Sequence, residues 1–212
     1  MRMTKNPALI SLPSLLCFAA AAMLIAAQLV NHGSAANLPA SPARGQDGPI
    51  TAANWQQHPK IKQIRAIVDS VNTGIRKGAF KVSQKEFEYC ESYEDTLRKM
   101  TVDSKGVVRR YENQAGSDDS ALTWQHYYDE AGRLRFVFIT GGAANGAQLE
   151  HRIYFDESGK RLWEEHKYVK GPEYTFPDVW PEEKNDRARP IQKFDPAEAF
   201  GATSPCPPKR SR

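Results

Sequence analysis

The chain has 212 residues, with 29 Lys and Arg against 25 Asp and Glu and a formal charge of +4. That balance is too even to mark a nucleic-acid binder. The length suits one domain with a proper core and is too short for two comfortable ones.

At the N-terminus, Arg2 and Lys5 precede an apolar run from Leu9 to Val30 that carries no charge. This is the pattern of an export signal, and Ser34 and Ala36 stand at the small-residue positions a signal peptidase needs, so residues 1–36 read as a signal peptide cut before Asn37. The run is also about as long as the ~20 residues that span a bilayer, which leaves an uncleaved inner-membrane anchor through residues 9–30 as the alternative. Either reading predicts an exported protein, periplasmic or secreted, that meets the membrane only through this segment. Leu16 is too bulky for a lipobox before Cys17. Taking away Arg2 and Lys5 leaves 27 basic and 25 acidic side chains, a near-neutral surface of formal charge +2.

Residues 37–53 are rich in Pro, Gly, Ala and Ser without apolar periodicity, and read as a flexible linker. A domain is expected over 54–181. Pro59 suits a first helical position, and Ile61, Ile64, Ile67, Val68, Val71 and Ile75 recur at intervals of three and four, with Gly78 placed to end the helix. Lys60, Lys62, Arg65 and Asp69 fall on other positions and read as a solvated flank.

From about Phe80 to Val169 the sequence alternates or is β-rich, which predicts a continuous antiparallel meander. An apolar or aromatic residue followed by Asp-x-x-Gly occurs three times, at Val102–Gly106, Tyr128–Gly132 and Phe155–Gly159, with the Asp residues 26 and 27 positions apart. Asp opens a type I turn by accepting local backbone N–H bonds, and Gly three residues later takes the left-handed conformation of a hairpin bulge. Each copy therefore reads as a hairpin tip. A bulged Asp129–Gly132 hairpin sets Tyr128 opposite Leu134, His126 opposite Phe136 and Trp124 opposite Phe138, with Gln125, Tyr127, Arg133, Arg135 and Val137 on a mixed polar face. The return strand after Gly159 is offset by one residue, which predicts a bulge or register change. Thr140–Gln148, with three glycines, reads as a mobile loop.

The expected fold is α+β, an N-terminal amphipathic helix packed on an antiparallel β-meander of about six to eight strands. Residues 182–212 read as a charged, Pro-rich C-terminal tail. Within it, Cys206 is either paired with Cys90 in a disulfide, as an even count in an exported chain suggests, or is a free thiol.

Tyr128-Asp129-Glu130-Ala131-Gly132-Arg133-Leu134 resembles the YD repeat of RHS-type bacterial surface and toxin proteins. Phe155–Lys160 matches in part and Val102–Val107 more weakly. The resemblance implies extracytoplasmic β-hairpins and transfers no catalytic or binding residue.

For chemistry, the region beyond residue 36 offers His58, His126, His151 and His166, without metal-ligand or catalytic spacing. His126 and His151 lie between apolar strand neighbours, where a hydrogen-bonded structural imidazole is the expected role. Ser117–Ser120 lacks the spacing of a calcium loop. No motif for a cofactor is present, so none is expected. The better lead is aromatic: rings concentrate in the last two hairpins, and Trp124, Tyr127, Trp163 and Tyr168 are candidates to line a surface for a glycan, lipid or peptide. Tyr174–Pro181 is placed to close over it. The sequence thus points to an exported envelope binding protein. A small hydrolase-type enzyme with a His/carboxylate site and a structural module pairing with an envelope protein are the alternatives.

Overall fold

The computed structural model describes residues 48–176 and 194–210. The export segment, residues 37–47 of the linker, Pro177–Pro181 and the charged stretch after it lie outside these residues. The architecture is mostly β, a seven-stranded antiparallel sheet with a helix. Helix α1 spans Pro59–Arg76, and the strands are β1 (Lys81–Glu86), β2 (Asp95–Val102), β3 (Val108–Gly116), β4 (Ser120–Tyr128), β5 (Leu134–Ala143), β6 (Gln148–Phe155) and β7 (Arg161–Lys170). They follow one another across the sheet in chain order, so the topology is a simple meander. A short helix, α2 (Pro196–Gly201), follows near the C-terminus.

The three Asp-x-x-Gly segments form the tips at one end of the sheet. In each, the Gly amide donates to the Asp carbonyl, with Gly106, Gly132 and Gly159 at φ of 84°, 75° and 83°. One carboxylate oxygen of each Asp also accepts two backbone N–H groups: those of Lys105 and Val107, of Ala131 and Arg133, and of Ser158 and Lys160. This is why the spacing specifies the turn.

A further bulge follows every tip. Tyr128 pairs with Leu134, but Tyr127 pairs with Phe136, so Arg135 is an extra residue in β5. Arg109 and Leu162 occupy the same place in β3 and β7. The bulge corrects the expected register: His126 lies opposite Val137 and Trp124 opposite Ile139, while Phe136 and Phe138 share a face with Gln125 and Tyr127. It also corrects the expected polar face. Arg135 is buried, and Tyr127 belongs to the core.

Successive pairings align Tyr127, Phe136, Tyr154 and Trp163 in a row across β4–β7. Helix α1 lies over that row, burying Ile61, Ile64 and Val71 against it, with Trp55 joining the cluster. Trp55 stacks on Trp163 at 6.0 Å, and Asn72 near the other end of α1 reaches Tyr127, so the helix crosses the strands. The opposite face holds a second cluster of Leu122, Val137, Ile139, Leu149, Ile153 and Phe155, with Phe176 over it.

Gly141 and Gly142 lie inside β5, and the expected long loop is a tight turn between Ala143 and Ala147. Gly141 serves packing there, since a Cβ would stand 2.7 Å from Leu122 Cδ2 and press on the Phe176 ring. Residues 194–210, which composition marks as tail, pack on the second face. Phe194 stacks on His126 at 5.0 Å, the Phe200 carbonyl accepts from Lys85, and the Lys209 amide donates to the Glu86 carbonyl. Cys90 and Cys206 form a disulfide. Among the described residues no helix is long and apolar enough to cross a membrane.

Candidate functional site

The four aromatic candidates divide between the two faces. Tyr127 and Trp163 lie in the row beneath α1. The Tyr127 hydroxyl lies 3.2 Å from both Asn72 Oδ1 and Gln125 Oε1, which share its single proton. Trp124 and Tyr168 pack on the second cluster, and the Tyr168 hydroxyl donates to the Tyr174 carbonyl. The structure does not bring the four into one site.

Helix α1 covers only the part of its face nearest the hairpin tips. Where it ends its cover, a groove of 360 Å³ opens between helix and sheet, and Tyr127 is the one candidate that lines it. Arg65, Val68, Asp69 and Asn72 form the helix wall; the sheet side carries Phe136, Phe138 and Tyr154, with Gln125 and Arg152 beside them. The position follows from the sequence. Asp69 and Asn72 are three residues apart and so share a helix face, while Phe136 and Phe138 alternate onto one face of β5 once the bulge has reset its register. Their rings are nearly parallel, 14° apart with centres separated by 6.3 Å.

Most polar groups around the groove are already engaged. Gln125 donates to Glu112 at 2.9 Å and accepts from Tyr127. Arg152 pairs with Glu150 at 2.7 Å and Glu165 at 3.7 Å, with its guanidinium 4.8 Å from the centre of the Phe138 ring. Asn72 Oδ1 accepts from both Tyr127 and Arg110. What remains uncommitted is the Asn72 amide nitrogen and the exposed Asp69 carboxylate, which has no hydrogen bond or ion pair among the described residues. The arrangement offers donors, an acceptor and an apolar floor in one concave place, the usual make-up of a small-molecule site. Sequence reading missed Asp69, Asn72, Phe138 and Arg152. The three-residue spacing of Asp69 and Asn72 was visible, but nothing in it distinguishes a groove wall from a solvated flank.

A larger hollow of 480 Å³ lies between α1 and the hairpin tips, walled by Arg109, Asp129, Arg133, Arg135 and Glu157 among others. Most of its charges are already paired: Asp129 with Arg133 and Arg135, both arginines with Glu157, and Arg109 with Asp103, while Glu130 has no ion pair among the described residues.

On the second face, His151 Nε2 meets Glu164 Oε1 at 2.5 Å, and Arg161 holds the other Glu164 oxygen. The Glu164 pKa is lowered, first by the His151 hydrogen bond and further by Arg161, with burial opposing. His166 lies 5.3 Å from His151, and burial lowers its pKa. His151 is buried, and its Nδ1 is sealed from solvent without a hydrogen-bond partner. The ring therefore spends its reachable nitrogen on Glu164 and offers no other to a substrate. Among the described residues no group of three or more His, Cys, Asp and Glu side chains is placed to hold a metal ion. Comparison with protein-family models, with curated proteins and with solved structures gives no match.

Proposed function

We propose that this chain is an exported envelope protein that binds a small molecule in the groove between α1 and the sheet. One observation carries the reading: in the groove bordered by the half-buried Phe138, the Asn72 amide nitrogen and the Asp69 carboxylate, on consecutive helical turns, have no protein partners among the described residues. Uncommitted polar groups over an apolar floor are what a ligand needs for orientation and affinity. The apolar N-terminal run supports export, and so does the Cys90–Cys206 disulfide, a bond that persists in oxidising compartments.

The test uses the full-length chain purified in detergent, equilibrated with an envelope extract and then analysed for retained small molecules by mass spectrometry. Asp69 is exposed, so Asp69→Trp fills the groove without touching the core. The wild type should retain a molecule that the variant, melting at the same temperature, does not. Equal retention by both proteins, or none by either, would rule the groove out as the binding site. The hydrolase alternative rests on the His151–Glu164 pair, and the sealed Nδ1 makes that pair a structural contact in our reading.

A further inference from the structure

We propose, building on the groove reading above, that its ligand is a neutral, hydroxyl-bearing ring, a saccharide unit. Charge is the first reason. The fixed charges at the groove are Arg65 and Asp69 on the helix and Arg152 on the sheet, and Arg152 is already neutralised by Glu150 and Glu165. Arg65 and Asp69 cancel. An anion or cation entering here would give up its hydration without gaining a net counter-charge, which is unfavourable for any ionised group. A neutral ligand incurs no such loss.

Hydrogen-bond capacity is the second reason. The Asp69 carboxylate only accepts, and Asn72, with its oxygen occupied by Tyr127 and Arg110, has only donors left. A hydroxyl both donates and accepts, so two neighbouring hydroxyls on one ring satisfy the pair together. A lipid tail would desolvate both side chains and return nothing. The third reason is the floor. Phe138, half-buried at the groove and stacked on Phe136 at 6.3 Å, gives an apolar surface of the kind that meets the C–H groups of a sugar ring. Beyond Phe138 on the same sheet face the next row carries the half-buried Thr140 and Thr123, hydroxyl side chains against which an oligosaccharide can extend past the first ring.

The full-length chain is purified in a polyoxyethylene detergent, because glucoside and maltoside headgroups are themselves candidate ligands. Binding is measured calorimetrically for neutral trisaccharides (maltotriose, cellotriose and chitotriose), a glucuronic-acid disaccharide and a zwitterionic dipeptide. At least one neutral trisaccharide should bind, at least tenfold more tightly than the acidic sugar or the dipeptide. Asp69→Asn and Asn72→Asp should each weaken that binding at least tenfold while the melting temperature holds, and Phe138→Leu should weaken it less. If the acidic sugar or the dipeptide binds best, or if every probe is silent, the saccharide assignment is wrong. The groove then still stands where Asp69→Trp strips the envelope-derived molecule from the protein, and falls with it where Asp69→Trp does not.

Discussion

Two buried arginines stitch the repeats together. Arg109, the bulge residue of the first hairpin, reaches back to its own turn carboxylate, Asp103 Oδ2, at 3.3 Å and forward to the Tyr128 carbonyl, which precedes the next turn, at 3.4 Å. Arg135 repeats both bonds one unit on, to Asp129 Oδ2 and to the Phe155 carbonyl, each at 3.3 Å. In the third hairpin no further repeat follows, and Leu162 holds the place and packs on the core instead. Because Arg135 is buried beside a buried carboxylate, Arg135→Ala should cost about 3 kcal/mol or more in urea unfolding. Arg133, half exposed on the same Asp129, should cost about 1 kcal/mol or less when changed to Ala. Equal losses would mean the bulge arginine does not join the units. The pH dependence separates by residue as well. Burial pushes the His126 pKa down to about 4 from its ordinary 6.5, against an opposing hydrogen bond with the Tyr111 backbone. The unfolded chain therefore binds more protons between these values, and stability should decline as pH falls from 6.5 to 4, by at most about 1.4 kcal/mol per pH unit. At Asp129 burial acts upward, but the Arg133 and Ala131 amides and the Arg133 and Arg135 guanidinium groups outweigh it, so the pKa lies below the ordinary 3.8. Its contribution is present above that value and is lost as pH falls further. Melting temperature against pH should accordingly show two limbs, with His126→Gln flattening the upper one and leaving the lower.

At the scale of elements, the turns were legible because Asp-x-x-Gly specifies its own hydrogen bonds. The meander follows from three tips at near-regular spacing. The offset of the third return strand foretold the register change between Tyr154 and Phe155, but the register of the second hairpin was not legible, because its bulge residue Arg135 is held by a long-range bond to the Phe155 carbonyl, about 20 residues away in sequence. One unseen residue then exchanged the faces of Phe136 and Val137. Gly141 misled for a similar reason: as a composition signal it marks a loop, whereas in the fold it makes room for Leu122 and Phe176. Tyr127 could be picked out as an aromatic, but Asp69 and Asn72 gain meaning only when the helix lies across the sheet. Gly74 gives the same lesson within α1. Helix propensity alone says that Gly74→Ala should stabilise by about 1 kcal/mol. A Cβ there would stand 2.3 Å from the Phe80 ring, which packs against the helix-side core. Gly74→Ala should therefore destabilise, by about 1–3 kcal/mol in chemical denaturation. A gain in stability would show that the ring swings aside freely and that the close approach is not needed.

Across the whole molecule the two sheet faces are closed by different ends of the chain. Helix α1 closes one from the N-terminal side, and residues 194–210 strap the other. The strap runs from Phe194 against His126, through the Ala202 carbonyl held by Arg98 at 2.5 Å, to Pro208, which bridges Phe87 beyond the end of β1. That last contact adds backbone pairing beside an edge strand, where open N–H and C=O groups invite association with other chains. The strap itself is short and buries little, so its hold depends on the Cys90–Cys206 bond, which closes a loop of 116 residues. Loops of this size lose much of their unfolded-state freedom on cross-linking, and bonds of this kind typically contribute about 2–4 kcal/mol. Cys90→Ser with Cys206→Ser should lower stability by that amount and make residues 194–210 the first site of limited proteolysis. The wild type treated with reductant should behave like the double variant. Since the groove lies on the α1 side, its ligand affinity should change less than twofold in the same variant. Loss of binding along with the strap would mean that the two faces are coupled through the strands between them, and that release of the C-terminal segment regulates the groove.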